Sequence, residues 1–87
     1  MIAGNKIGGP IANPIREMLS SKNNDGVIFS CKDKHKAENT RYAALMLKRR
    51  NGYSYRTMRK DNSLMVYKND VDPYEMHGAL RVDFMED

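Results

Sequence analysis

The side chains most able to do chemistry in this 87-residue chain are its cations. Between Lys32 and Lys60 lie ten Lys and Arg: Lys32, Lys34, Lys36, Arg41, Lys48, Arg49, Arg50, Arg56, Arg59 and Lys60. Only Asp33 and Glu38 oppose them. Lys34, Arg41 and Lys48 recur every seven residues, two helical turns apart, so they form one stripe along a helix. A surface of this sign attracts phosphate backbones and gains affinity by releasing their counterions. Tyr42, Tyr53, Tyr55 and Tyr67 are interleaved with the cations, and an exposed Tyr ring can stack on an unpaired base. The candidate site is therefore Lys34, Arg41, Lys48, Arg49, Arg50, Arg56, Arg59 and Lys60 for phosphates, with Tyr53 or Tyr55 for bases. The competing explanation is plain solvation. Lys48, Arg49 and Arg50 at a helix C-terminus complement the macrodipole, and charges on a hairpin guard its edge.

Other chemistries find little to work with. Cys31 is the single cysteine, which excludes an intramolecular disulfide and fits a reducing compartment. His35 follows it by four residues, but a strand-to-helix junction gives that spacing no helical meaning. His77 is remote, and a structural zinc site wants four ligands. No third group orients Cys31 as a nucleophile. Gly4, Gly8 and Gly9 follow no strand and precede no Gly-Lys-Ser/Thr, so they make no phosphate loop. Neither a cofactor nor a metal is expected, and the chain reads as non-enzymatic.

The net charge of +4 conceals an asymmetry. Residues 1–69 carry fourteen Lys/Arg and five Asp/Glu, whereas residues 70–87 carry Arg81 against six carboxylates. A basic body with an acidic C-terminal segment is the expected organisation. No apolar run approaches the ~20 residues of a membrane span, and the N-terminus lacks a signal-peptide core, so a cytoplasmic location is expected. Seven Met residues suit adaptable contacts.

These side chains need a scaffold, and the chain of 87 residues is short enough to be one domain. Residues 1–12, rich in Gly, read as a flexible arm. Asn13-Pro14 supplies a cap and a first-turn Pro for a short helix with Ile15, Met18 and Leu19 on one face. Asn23-Asn24-Asp25-Gly26 is a turn, followed by a strand at 27–31 with Val27, Phe29 and Cys31 buried. Asp33 caps the longest helix, about 34–50, whose Ala37, Thr40, Ala43, Ala44 and Leu47 share one stripe. Gly52 ends it. Residues 53–59 and 64–68 form a hairpin around the turn 60–63. Asp72-Pro73 opens a short helical turn closed by Gly78, and Leu80, Val82 and Phe84 alternate as a fourth strand. The fold class is α+β, a β-α-β-β core: a small, three- to four-stranded, mostly antiparallel sheet with the long helix on one face, plus a short N-terminal helix. The first helix and the tail are candidates to cover edges or part of the other face; if the long helix alone covers the sheet, the opposite face is open to a partner.

This layout resembles that of short accessory proteins encoded by tailed bacteriophages. The likeness rests on the strand 27–31, the charged helix ending Leu47-Lys48-Arg49-Arg50, and the following hairpin. It covers about half the chain and carries over no site residue. It implies DNA binding or the seizure of a host enzyme such as RNA polymerase. The leading expectation is thus a nucleic-acid-binding protein, with DNA and RNA both open. The alternative is an inhibitor or adaptor that docks on a host protein through the open sheet face and acidic tail. A homodimer paired through a strand edge is compatible with either.

Overall fold

A computed structural model describes residues 9–84. Two helices, α1 (Ala12–Ser20) and α2 (Lys34–Asn51), accompany four strands: β1 (Gly26–Cys31), β2 (Arg56–Lys60), β3 (Ser63–Tyr67) and β4 (Leu80–Phe84). The strand order is β2-β3-β1-β4. β3 runs antiparallel to both β1 and β2, and β4 runs parallel to β1. β1 and β2 therefore point the same way, joined by α2, with β3 inserted between them. The α+β class, the long helix and the short N-terminal helix are all as the sequence predicts.

Registration divides the sheet into two unlike faces. Val27 pairs with Val66 and Leu80, and Phe29 with Leu64 and Val82, so these side chains share one face with Cys31, Thr57 and Arg59. On this helix face Val27, Phe29, Leu64 and Val66 are fully buried, in one cluster with Ile15 and Met18 of α1 and Ala37 and Ala44 of α2. Each large apolar side chain buried this way contributes about 1.5–3 kcal/mol. Phe84 stacks on Phe29 with ring centroids 5.7 Å apart, fastening the β4 edge to the core. The Ala residues of α2 leave room for Tyr55, which is wholly buried and donates its hydroxyl to the Ala44 carbonyl at 2.6 Å. Thr40 is buried too, its hydroxyl satisfied by the Lys36 carbonyl one turn back.

The predicted caps of α2 are both present. The Asp33 carboxylate accepts from the Lys36 N–H at 2.8 Å, and Gly52 takes the left-handed conformation at φ 67°. Tyr53 belongs to this helix end, its N–H bonded to the Lys48 carbonyl, so β2 begins at Arg56 and not at Tyr53. The hairpin is tighter than expected. Lys60 pairs with Ser63, leaving a two-residue loop in which Asp61 adopts φ 55°, a conformation Asp tolerates.

Further expectations are corrected. Helix α1 starts at Ala12 with Ile11 as its cap, so Asn13 lies inside its first turn; Pro14 still costs nothing, since first-turn N–H groups have no intrahelical acceptor. Of the expected arm, residues 1–8 lie outside the described residues, while Ile11 packs against the core. Asp72-Pro73 opens turns without a helix: the Asp72 carboxylate accepts from the Tyr74 N–H, and its carbonyl from Glu75.

The last point concerns the far face and the acidic segment. Residues 68–79 form a strap that crosses the face opposite the helices. Met76 Sδ occupies the space beside Gly26, where a Cβ would approach it to 2.6 Å, and the Tyr74 ring receives Lys60 Nζ at 5.7 Å. Met65 and Tyr67, which point to this face, are buried as a result. Asp25 clasps both ends of the strap. Its carbonyl accepts from the Lys68 N–H, its N–H donates to the Gly78 carbonyl, and its carboxylate accepts from the His77 N–H at 2.9 Å. That last bond holds the Asp25 carboxyl below the usual range. The acidic segment is thus structural as far as Phe84, with β4 inside the sheet.

Candidate nucleic-acid interface

Strand β2 is an outer edge of the sheet, and cations gather on both of its sides. Its own sequence, Arg-Thr-Met-Arg-Lys, alternates across the sheet. Arg59 points to the helix face, and Arg56 and Lys60 to the far face. Arg59 Nε lies 2.7 Å from Glu38 Oε2 on α2, and Arg41 Nη1 reaches the other oxygen of the same carboxylate at 3.5 Å. One carboxylate therefore draws an arginine of the helix and an arginine of the strand together, leaving an excess of positive charge. All three side chains are substantially exposed, so this pairing organises the surface more than it stabilises the fold.

The helix stripe lies on this same flank. Lys34, Arg41 and Lys48 are about 10 Å apart in succession along α2. Lys48 bends over the Tyr55 ring, with Nζ 5.8 Å from its centroid, and lines a polar depression with Arg56, Ser54, Thr57 and Asn69. Lys48 and Arg56 thereby connect the helix side of the edge to its far side. Lys34, Arg49, Arg50 and Arg56 form no ion pair among the described residues.

Not every expected residue joins this surface. Arg50 faces the other way, into the groove between α1 and α2, where Arg16 also lies. Tyr55 is 0% exposed, so its ring cannot meet a base; the sequence expectation for it is wrong because the small Ala stripe of α2 creates a slot that only a large ring fills. Burial, with Tyr53 adjacent, pushes the Tyr55 phenol up to about 12. Tyr53 is half-buried and its hydroxyl accepts from Arg16 Nε at 3.1 Å. Tyr42, left out of the predicted site, is 66% exposed. Its position on the helical wheel, well away from Ala37 and Ala44, is the signal that marks it as outward-facing.

No family model, curated protein or solved structure matches this chain. The geometry is what carries the functional reading. It holds no constellation suited to metal chemistry: among the described residues, no three His, Cys, Asp or Glu side chains group as ligands would. Cys31 is buried, with Sγ 3.8 Å from the Thr40 hydroxyl, while His35 and His77 are exposed. Among the described residues no helix is long and apolar enough to cross a membrane.

Proposed function

We propose that this protein is a non-enzymatic nucleic-acid-binding module that engages phosphates along α2 and around the edge of β2. The observation that supports this reading is the approach of α2 and β2 cations, far apart in sequence, across a single carboxylate. Lys34, Arg41, Lys48, Arg49 and Arg59 form the helix-side group, and Arg56 and Lys60 extend it around the edge. Fields from side chains so grouped add.

Fluorescence anisotropy with a labelled oligonucleotide at three salt concentrations tests the proposal. With about five phosphates engaged, log affinity falls against log salt with a slope near −4 to −5. No binding, or binding indifferent to salt, rejects it. Glu38→Gln removes the carboxylate that holds Arg41 and Arg59 and is expected to tighten binding and steepen the slope by about one. Weaker binding by that variant would mean that the Glu38 bridge positions the arginines for the ligand.

An adaptor docking on a host protein needs an open sheet face and a free acidic tail. The strap crosses that face and β4 completes the sheet, so no specific observation favours it.

A further inference from the structure

The surface of α2 that faces away from the sheet carries an aromatic side chain with no packing duty. Tyr42 stands between two shallow depressions, each with an apolar floor and two cations at its border. On one side are Met46 and Leu47 with Arg16 and Arg50; on the other are Leu45 and Met46 with Lys48 and Arg49. No carboxylate among the described residues lines either depression. Arg16 comes from α1 and is held beside this surface by its bond to Tyr53, so two helices supply the charge.

We infer that this face binds single-stranded nucleic acid, with an unpaired base stacked on Tyr42 and its neighbouring phosphates held by Lys48 and Arg49 on one side and Arg16 and Arg50 on the other. The inference rests on the nucleic-acid reading above and narrows it to a class of ligand. The reason is geometric and electrostatic together. Cations alone would suit any polyanion, but a protruding phenol ring flanked by apolar side chains also offers a stacking platform for a flat, unpaired base. In a duplex, base faces are occupied by their neighbours and cannot lie on Tyr42. The arrangement also gives Arg50 a role, although it points away from β2. Stacking of this kind tolerates any base, and it serves DNA and RNA alike.

The test compares a labelled oligo-dT of roughly 12 nucleotides, the length of a typical single-strand site, with its duplex and with an abasic strand of equal length. At one salt concentration the wild-type protein is expected to bind the single strand about ten-fold or more tightly than either comparator. Tyr42→Ala should weaken single-strand binding by about ten-fold, leave abasic binding unchanged, and retain the wild-type circular dichroism spectrum, because the side chain is exposed. Tyr42→Phe, which keeps the ring, should stay within about two-fold. Oligo-U in place of oligo-dT should show the same dependence on Tyr42. Salt-dependent binding that prefers duplex, or that is indifferent to Tyr42→Ala, overturns the stacking inference and leaves the phosphate-binding reading standing. Absence of salt-dependent binding to every probe overturns both.

Discussion

Tyr55→Ala is expected to destabilise the protein by about 3–5 kcal/mol, the range found when a buried aromatic ring is truncated. The ring is 0% exposed and fills the slot between the Ala stripe of α2 and the strands, so its truncation leaves a cavity in the core. Domains of this size have total stabilities of about 5–15 kcal/mol, and each kcal/mol shifts the melting temperature by roughly 4–8 °C. Thermal melts followed by circular dichroism should therefore show a drop well beyond 10 °C. A loss under about 1 kcal/mol would mean that the ring is not the keystone of the core.

Tyr55→Phe separates the ring from its hydroxyl. It loses the bond to the Ala44 carbonyl, a cost of about 1 kcal/mol. It also changes the alkaline limb of stability. The phenol is pushed up to about 12 in the folded protein, from about 10 in an unfolded chain. The stabilisation this represents is fully present below the unfolded value and is lost as pH rises through the folded one. Wild-type stability should decline between these values, and the Phe variant should decline less steeply. Identical alkaline limbs would show that Tyr55 ionises as freely folded as unfolded.

The second large effect concerns binding. The triple variant Lys34→Gln, Arg41→Gln, Lys48→Gln removes the helix stripe and replaces no residue of the buried cluster, although Lys48 leaves its place over the Tyr55 ring. If each residue contacts one phosphate, the magnitude of the salt slope should fall by about three. Each contact supplies roughly 0.9 of a decade in affinity at 0.1 M salt relative to 1 M, so the triple change should weaken binding by about 100-fold or more. Lys22→Gln is the control. It is exposed in the turn between α1 and β1, away from the stripe, and should leave affinity within about two-fold. Melting temperatures should match the wild type to within a few degrees, since surface substitutions usually change stability by less than about 0.5 kcal/mol. Unchanged affinity and slope in the triple variant would remove α2 from the interface.

Much of the scaffold can be read from local patterns because those patterns act locally. Asp33 and Gly52 delimit α2 through bonds to residues three or four positions away, and the alternation of Val27, Phe29 and Cys31 follows from the two-residue period of a strand. The same holds for Leu80, Val82 and Phe84. The cations of α2 likewise show their stripe in their spacing alone. Where Tyr53 falls is subtler: it extends an alternating pattern, yet its N–H serves the helix cap.

Long-range contacts settle the remainder, and no local pattern carries them. Asp25 must meet Lys68, His77 and Gly78 before residues 68–79 become a strap and not a solvated acidic tail. Registration with β3 sends Arg59 toward Glu38 and Arg56 and Lys60 to the other face, so a run of cations adjacent in sequence is divided in space. Between Tyr53 and Tyr55, type and spacing give no choice, whereas the helical wheel already turns Tyr42 away from Ala37 and Ala44. Tyr55 is buried because the Ala side chains of α2 leave a void opposite it, whereas Tyr42, at the border of the groove between α1 and α2, keeps its ring exposed. Charge and period are properties of a chain, but exposure is a property of what packs against it.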